Sequence, residues 1–351
     1  MILLNAEKIS KGYSDRQLLD GCSLAVGQGD KIGLIGVNGT GKSTLLKVMA
    51  GVDFPDSGTV TRSGGVRVAY LPQNPEFAPE TTVLQQVMTG VAIDKARAKE
   101  AKVVQQADEY QCKSILTQLG LSDYDQPIGQ LSGGQKRRVA LACALAAESE
   151  VLILDEPTNH IDSEIVDWLE SYLKTYPGAI LVVSHDRYFL DAVCNRIFEI
   201  EDNTLTAYKG NYSAYLPQKE AAVALQQKQH DADMEKAAKL EDYIARNLVR
   251  ASTTKMAQSR RKQLEKMEIT EAPRTSHTDL KFRFTFDVTP YNEILTAKNI
   301  SVTLGGKRLV EGLDLLVKRG ERLVIAGPNG AGKSTLLRVL DGKLRPQAGT
   351  V

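Results

Sequence analysis

A glycine-rich segment near the N-terminus has the residue types needed to bind a phosphate chain. Residues 36–44 read Gly-Val-Asn-Gly-Thr-Gly-Lys-Ser-Thr, between a predicted strand, Lys31 to Ile35, and a predicted helix, Ser43 to Ala50. Glycines let backbone N–H groups turn toward phosphate oxygens, and the helix N-terminus adds its dipole. A ligand-free glycine turn is the alternative, but it would not require Lys42 as a point charge or Ser43 as a hydroxyl for Mg²⁺. The candidate phosphate-binding residues are Gly36, Asn38, Gly39, Gly41, Lys42, Ser43 and Thr44, with Ser43 also a metal ligand.

Two adjacent acids end an apolar run in the middle of the chain. Val151 to Leu154 is typical of a buried parallel strand, and Asp155 and Glu156 follow it directly. Carboxylates there are unfavourable unless they serve a cation or a reaction, and ligands of open α/β sheets bind at that end of the strands. Asp155 would then hold Mg²⁺ through water, and Glu156 would act on an attacking water as general base. The alternative is an acid pair that only caps the next helix.

The phosphate-binding segment occurs twice. Residues 9–60 align without a gap with residues 300–351 at an offset of 291, with 22 of 52 positions identical. Because the second copy reaches only Val351, we expect the chain to be the front part of a longer tandem protein. The second set of candidate phosphate-binding residues is Gly327, Asn329, Gly330, Gly332, Lys333, Ser334 and Thr335, with Ser334 also a candidate metal ligand.

A third element narrows the class of protein. Leu131-Ser132-Gly133-Gly134-Gln135 precedes a predicted helix, Lys136 to Ala147, so that Ser132 and the glycine amides could bind an anion. Taken alone, this could be only a helix cap and a turn. Together with the phosphate-binding loop and the acid pair, it resembles the signature of ATP-binding cassette ATPases. That resemblance implies an α/β fold, the P-loop NTPase cassette with a helical subdomain at about residues 80–145, and ATP and Mg²⁺ as cofactors.

The same resemblance assigns roles to three further residues. Gln73, in Ala-Tyr-Leu-Pro-Gln, would lie near Mg²⁺ as the Q-loop residue. His185 follows a predicted strand, Ala179 to Val183, and would touch the γ-phosphate as the switch histidine. Tyr13, 23 residues before Gly36, would stack on adenine. Lys42, Glu156 and His185 are therefore the candidate catalytic residues, and Gln73 and Asp155 join Ser43 as candidate metal ligands.

Two short sequence motifs and a linker indicate one branch of this superfamily. The segments Asp155–Asp162 and Ser184–Phe189 resemble the ABC-F family, tandem cassettes joined by a helical linker that act on the ribosome. We therefore expect a first cassette at residues 1–210, an interdomain linker at 211–280 and a partial second cassette at 281–351. In that family the linker contacts tRNA and rRNA.

The linker sequence agrees with that expectation. Residues 212–270 contain no glycine and are rich in Ala, Gln, Lys and Glu, which predicts two helices with a turn near residues 251–254. A strictly alternating strand is predicted at residues 281–288. Between Tyr243 and Leu264 there are no acids, and a solvated charged face is the alternative to an RNA contact. The candidate RNA-binding residues there are Arg246, Arg250, Lys255, Arg260, Arg261 and Lys262.

The second cassette departs from the family pattern. It has no Q-loop, signature, acid pair or switch histidine, and Leu304 stands where Tyr13 stands in the first copy. In a cassette sandwich each nucleotide lies between one P-loop and the opposite signature, so neither composite site is complete in this chain. We expect weak ATPase activity alone, and a sandwich with the rest of a second cassette or with a second copy. The rival assignment is the ATPase subunit of an ABC membrane transporter, which would not need the basic helical linker.

Composition excludes several other classes of protein. The formal net charge is +1, so affinity for a polyanion must come from a local patch. Four scattered cysteines without a C-x-x-C pair exclude a disulfide framework or a zinc ribbon and favour buried thiols. No secretory signal and no apolar run near the roughly 18 residues of a membrane span is visible. These features predict a cytoplasmic protein without a membrane partner.

Overall fold

A six-stranded sheet forms the centre of the first cassette. The computed structural model describes residues 1–13, 16–90, 108–159, 161–247, 254–267, 270, 272, 291–304, 306–327 and 330–351. The sheet has the order β5-β6-β7-β3-β8-β9, in which the first five strands are parallel and β9 pairs antiparallel with β8. Its strands are β3 (Lys31–Gly36), β5 (Val68–Leu71), β6 (Val151–Asp155), β7 (Ala179–Val183), β8 (Arg196–Glu201) and β9 (Thr204–Lys209).

A three-stranded antiparallel sheet packs over one face of this centre. Its order is β2-β1-β4, from β1 (Ile2–Tyr13), β2 (Arg16–Gly27) and β4 (Ser57–Arg62). Helix α1 (Lys42–Ala50) lies in the core between the two sheets, where its side chains Leu45, Leu46 and Met49 are fully buried. Because α1 is enclosed in this way, its N-terminus is held rigidly at the end of β3.

Helices cover the other face of the central sheet. They are α2 (Val83–Thr89), α3 (Glu109–Gln118), α4 (Gly133–Ala146), α5 (Ser163–Thr175) and α6 (Arg187–Val193). Successive residues of β6 enter opposite cores: Leu152 and Leu154 face the helices, whereas Val151 and Ile153 face α1. Burial on both faces explains why the strand sequence is continuously apolar. All four cysteines are buried free thiols, as their scatter without a C-x-x-C pair predicted.

Two long helices follow the first cassette. They are α7 (Tyr212–Asn247) and α8 (Thr254–Glu265). The 36 residues of α7 give it a length of about 54 Å. Beyond α8, the Thr270 hydroxyl donates to buried Asp233 of α7 at 2.8 Å, so the chain returns along α7. Among the helices that the structure describes, none combines the length and apolar character needed to span a bilayer.

The second cassette repeats the antiparallel sheet and the loop of the first. Strands β10 (Glu293–Leu304), β11 (Lys307–Lys318) and β12 (Ala348–Thr350) have the order β11-β10-β12, and α9 (Lys333–Leu340) packs on them. Residues 321–327, the counterpart of β3, form no strand, and Val324 is 85% exposed. In the first copy β3 is paired on both sides by β7 and β8. Among the described residues no strand pairs with residues 321–327, whereas β3 depends on β7 and β8 as its neighbours. The strand predicted at residues 281–288 lies outside the described residues.

Candidate functional site

The first phosphate-binding loop connects β3 to α1 through three glycines with positive φ. Gly36, Gly39 and Gly41 have φ of 151°, 80° and 97°, a region that L side chains rarely adopt. A Cβ on Gly36 would also lie 2.6 Å from the Ile200 carbonyl oxygen, so glycine is required there for two reasons. Helix α1 begins at Lys42, and Gly41 is its N-cap. The loop therefore directs the unpaired amides of α1 at one point in space.

Lys42 lies at the centre of this loop. Its side chain is 8% exposed, and its Nζ donates to the carbonyl oxygens of Gly36 at 2.8 Å and Val37 at 3.0 Å. Burial lowers the pKa of Lys42, and the carboxylates of Glu156 and Asp155 oppose that shift. The ammonium group is thus poorly hydrated and fixed in position, which strengthens its attraction for a phosphate.

Asp155 ends β6 with a buried carboxylate beside the Ser43 hydroxyl. It is 2% exposed, and neither carboxylate oxygen accepts a hydrogen bond of normal geometry within the described part of the chain. Burial raises its pKa, while the Ser43 hydroxyl and the cations of Lys47 and Lys42 act against that rise. A buried carboxylate whose oxygens accept no hydrogen bond of normal geometry is expected where a cation binds.

The donor set at this position fits Mg²⁺. Ser43 supplies a hydroxyl, Asp155 a carboxylate and Gln73 an amide oxygen, all hard oxygen ligands. The described residues contain no cluster of three or more His, Cys, Asp or Glu side chains that could hold a metal by themselves. Mg²⁺ is usually bound by one or two protein groups together with substrate phosphates, and these three residues match that pattern.

Glu156 is held in a strained and buried position. Its φ is 54°, a left-handed conformation that costs a non-glycine residue about 1–3 kcal/mol and that clusters at active sites. The backbone N–H of Glu156 donates to the Val183 carbonyl at 2.9 Å, which ties the turn to β7. Burial raises the pKa of the Glu156 carboxyl; His185 and Lys42 lower it, and Asp155 raises it further. A carboxylate with a raised pKa is a better proton acceptor.

His185 faces Glu156 directly. The His185 Nε2 lies 3.3 Å from Glu156 Oε1, and the His185 backbone N–H donates to Glu156 Oε2 at 3.3 Å. The imidazole is 57% exposed, whereas the Glu156 side chain is 5% exposed. His185 is therefore positioned to touch both this carboxylate and a ligand in the cleft.

One cleft of about 510 Å³ brings most of the predicted residues together. P-loop residues, Gln73, Glu156 and His185 line it, and Asn159 and Leu18 join them without having been predicted from the sequence. Arg137 of α4 donates to the Gln73 backbone carbonyl at 2.7 Å and so fixes the Q-loop. No sequence pattern pointed to Arg137, because the contact spans 64 positions.

The signature residues line a different cleft, of about 670 Å³. There Ser132, Gly133 and Gly134 stand together with Gly330 of the second phosphate-binding loop. Helix α4 begins at Gly133, not at Lys136 as predicted, because Ser132 is its N-cap and forms a capping box with Gln135. Both glycine amides thus belong to the first helical turn of α4, at the cleft that Gly330 also lines.

The second phosphate-binding loop has the backbone of the first. Gly327, Gly330 and Gly332 have φ of 154°, 78° and 95°, and Lys333 Nζ donates to the Gly327 carbonyl at 2.6 Å. Ser334 and Thr335 lie in the first turn of α9. Asn329 lies outside the described residues.

Tyr13 does not line the first cleft. It stands at the end of β1, 47% exposed, and its hydroxyl donates to Asp53 Oδ2 at 2.6 Å. Asp53 was not predicted from the sequence as a partner of Tyr13. A signal was present, because Tyr13 and Asp53 both differ from their counterparts Leu304 and Leu344 in the second copy.

Helix α7 begins against strand β8 and helix α6, next to the first cleft. Tyr215 of α7 donates to Glu199 of β8 at 2.9 Å, and Lys219 lies 2.9 Å from the same carboxylate. The Ser213 backbone N–H donates to Asp191 of α6 at 2.7 Å. These contacts fix the N-terminal end of α7 to β8 and α6.

Two of the candidate RNA-binding arginines form ion pairs with acids on or at the end of their own helix. Arg246 lies 2.9 Å from Asp242, and Arg261 lies 3.1 Å from Glu265. Both arginines are well exposed, and exposed pairs of this spacing contribute only about 0.3–0.5 kcal/mol. Arg260 donates to Gln263, and Lys262 lies in the last turn of α8. Arg250 and the side chain of Lys255 lie outside the described residues.

Comparison with known proteins gives consistent matches. The family described as ABC transporter matches residues 19–159 and 310–351, just over half of the chain, and a second family with the same description matches residues 198–284. The chain is 37% identical to the uncharacterized ABC transporter ATP-binding protein YfmR of Bacillus subtilis, over all of this chain and 60% of the relative. It is 33% identical to the energy-dependent translational throttle protein EttA of Escherichia coli K12, over 96% of this chain and 65% of the relative. It thus spans about 60% of the length of the curated relatives it matches.

A solved structure shares the fold. The structure described as an ATP binding subunit of an ABC transporter has a TM-score of 0.51 at 23% identity, over 59% of this chain and 90% of that one.

Proposed function

Because the chain belongs to the ATP-binding cassette family, in its ABC-F branch, we propose that it binds Mg-ATP in the cleft of the first cassette and hydrolyses the γ-phosphate bond. The observation that carries this proposal is the buried Glu156 carboxylate, paired with His185 beside Lys42. Catalysis of phosphoryl transfer rests on positioning and electrostatics, and these are what the cleft provides.

In this mechanism each side chain has one task. Lys42 and the amides of α1 bind the phosphate oxygens, and Ser43, Gln73 and Asp155 would hold Mg²⁺, which neutralises phosphate charge. Glu156 accepts a proton from the water that attacks the γ-phosphorus, while the bond to the ADP oxygen breaks. His185 keeps the Glu156 carboxylate oriented and lies beside the transferred group. ADP and phosphate are the products.

The decisive comparison is between Glu156→Gln and Lys42→Ala. We expect Glu156→Gln to retain ATP affinity and to lose most hydrolysis, because it removes the base and leaves the phosphate contacts, a loss of about 10²- to 10⁴-fold in rate. Lys42→Ala should lose binding itself. Equilibrium dialysis with labelled ATP and a phosphate-release assay measure the two properties. Equal loss of ATP affinity in both variants would contradict these roles.

We further propose that the chain acts in translation, with the α7–α8 linker in contact with ribosomal RNA or tRNA. The supports are the similarity to EttA, which is named an energy-dependent translational throttle protein, and the excess of bases over acids near the linker tip. The test is co-sedimentation of the chain with ribosomes. Glu156→Gln should pellet more with ATP than with ADP, since hydrolysis no longer resets it, whereas Lys42→Ala should show no difference between the two nucleotides. Equal pelleting of Glu156→Gln in ATP and in ADP would argue against an ATP-dependent ribosome cycle.

A further inference from the structure

The aromatic at the end of β1 is held by a charged cluster that only the first copy possesses. Tyr13 donates its hydroxyl to Asp53 Oδ2 at 2.6 Å, and Lys11 lies 3.3 Å from Asp53 Oδ1. The Lys11 ammonium also lies 5.4 Å from the centroid of the Tyr13 ring, within cation–π range. Lys11 is further fixed by the Phe54 carbonyl at 2.7 Å, so the ring has contacts at its edge and on one face.

The position of Asp53 connects this cluster to the phosphate-binding helix. The backbone N–H groups of Val52 and Asp53 donate to the Lys47 carbonyl in the last turn of α1, at 2.9 and 3.3 Å. Tyr13 is therefore joined through Asp53 to the helix whose other end carries Lys42. A ring held in this way keeps a fixed distance from the phosphate-binding loop.

Comparison of the two copies of the internal repeat shows which contacts around Asp53 the fold itself requires. The Lys343 and Leu344 N–H groups donate to the Arg338 carbonyl at 2.9 and 3.0 Å, so the second copy has the same turn after α9. Asp56 accepts from the Gly12 N–H at 2.8 Å, and Gln347 accepts from the corresponding Thr303 N–H at 2.8 Å. The backbone and its side-chain support are thus common to both copies.

The three remaining positions change together. In the second copy Lys11, Tyr13 and Asp53 are replaced by Val302, Leu304 and Leu344. Val302 is buried in the small apolar core, and Leu344 packs against the same core. In the second copy an apolar contact between Val302, Leu344 and the small core stabilises this turn. The fold therefore does not require the charged cluster of Lys11, Tyr13 and Asp53.

From this difference we propose that Asp53, supported by Lys11, is a positioning residue that holds Tyr13 for stacking on the nucleotide base, so that the first loop recognises the base and the second recognises the phosphates. This inference rests on the proposed ATP-binding function. Lys11 occupies one face of the ring region and the other face is available to a purine, since Tyr13 remains 47% exposed.

The test compares the affinity of the first site for Mg-ATP and for inorganic tripolyphosphate. All proteins carry Lys333→Ala, so that the second loop does not contribute. Tyr13→Phe keeps the ring and removes the hydroxyl, and we expect it to weaken ATP binding about three- to tenfold, the range of one ordinary hydrogen bond. Asp53→Leu, which installs the second-copy residue, should have a similar effect. Tripolyphosphate affinity should stay within about twofold, as no phosphate contact is altered.

Two further variants complete the design. Asp56→Gln, also a second-copy residue, keeps the acceptor for the Gly12 N–H and removes only the ion pair of the exposed Asp56 carboxylate with Lys11, at 3.2 Å. It should leave ATP affinity within about twofold, because Lys11 keeps its contacts with Asp53 and the Phe54 carbonyl. The double variant Tyr13→Phe with Asp53→Leu should be no weaker than the weaker single variant, because both remove the same bond.

Three results would overturn the inference. Unchanged ATP affinity in Tyr13→Phe and Asp53→Leu, with a loss in Tyr13→Leu, would mean that the ring stacks without support. Parallel loss of ATP and tripolyphosphate would mean general damage to the site. Additive losses in the double variant would mean two independent roles. Failure of the unaltered first site to bind ATP would instead refute the proposed function itself, so the two failures are distinguishable.

Discussion

The buried carboxylate of Asp155 predicts an effect on stability opposite to that of an acid with a structural role. Replacement of a structural acid lowers the stability of the folded protein. Asp155→Asn should stabilise the protein in the absence of nucleotide, although it removes a candidate metal ligand. The carboxylate is 2% exposed and has no hydrogen bond of normal geometry among the described residues. Its pKa is raised by burial, so folding disfavours the charged form.

The size of the effect follows from the burial. An unsatisfied buried polar group costs about 1–3 kcal/mol, and the amide of Asn removes the charge but not all of the polar burial, so a gain of about 1–2 kcal/mol is expected. For a domain of this size, 1 kcal/mol shifts the melting temperature by about 2–4 °C, which gives a rise of about 2–8 °C for Asp155→Asn.

The pH dependence has a definite sign. A carboxyl group whose pKa is raised in the folded state binds more protons folded than unfolded, so stability falls as pH rises from its ordinary value of 3.8 through the raised value. Below that window Asp155 is neutral in both states, and the advantage of Asp155→Asn should vanish. Melting curves followed by circular dichroism at neutral and acidic pH measure both effects.

With Mg-ATP present, the unaltered protein should have a higher melting temperature than Asp155→Asn. A ligand at 100 times its Kd stabilises the folded state by about 2.7 kcal/mol, and only the protein with Asp155 retains the full metal site. Asp30→Asn is the matched control, because Asp30 accepts from the Gly27 N–H and from Arg196, both at 2.8 Å, so its replacement should lower the melting temperature. A lower melting temperature for Asp155→Asn without nucleotide would refute the reasoning.

Three further expectations concern hydrolysis and the linker. The ATPase rate should fall as pH is lowered through the raised pKa of Glu156, since the base must be deprotonated; a rate profile that is flat on the acid side would exclude Glu156 as the base. Specific ATPase activity should rise with chain concentration, because a second copy must supply the opposite signature; activity equal to that of a full tandem protein at low concentration would contradict the composite site. Replacement of all six candidate RNA-binding residues by Gln should flatten the log–log salt dependence of ribosome binding by roughly two to four units, with little change in basal ATPase activity. An unaltered slope would mean that they form only a solvated face. The six are Arg246, Arg250, Lys255, Arg260, Arg261 and Lys262.

The central strands and the first cleft could be predicted because their signals are local. Each of three strand ends has its own local pattern. These are a glycine loop between a strand and a helix, an apolar run that ends in Asp155 and Glu156, and an apolar run that ends before His185. Parallel strands bring their carboxyl ends to one edge, so these residues had to meet. Their roles as catalytic groups stay predictions until they are measured.

Contacts between distant segments could not be predicted. The sequence of residues 321–327 is as apolar as that of β3, yet it forms no strand, because a parallel strand depends on neighbours that follow much later in the chain. The contact between Arg137 and Gln73 is equally non-local. The partners of two linker arginines were also not evident from the charge pattern: the acid-free window from Tyr243 to Leu264 is bounded by Asp242 and Glu265, which pair with Arg246 and Arg261. The RNA contact of the six bases stays a prediction.

The attachment of α7 to β8 and α6 offers a physical route for the proposed coupling between ATP hydrolysis in the first cleft and the distant tip of the linker. Strand β8 pairs with β3, with Ile200 opposite Gly36 at the start of the phosphate-binding loop, and one residue earlier Glu199 holds Tyr215 and Lys219 of α7. On the other side, α6 begins two residues after His185 and holds the first turn of α7 through Asp191. A helix of about 54 Å fixed at two points near its base turns a small rotation there into a larger displacement at its tip. A rotation of 5° at the base of such a lever moves the tip by about 5 Å, roughly the distance between neighbouring strands of a sheet.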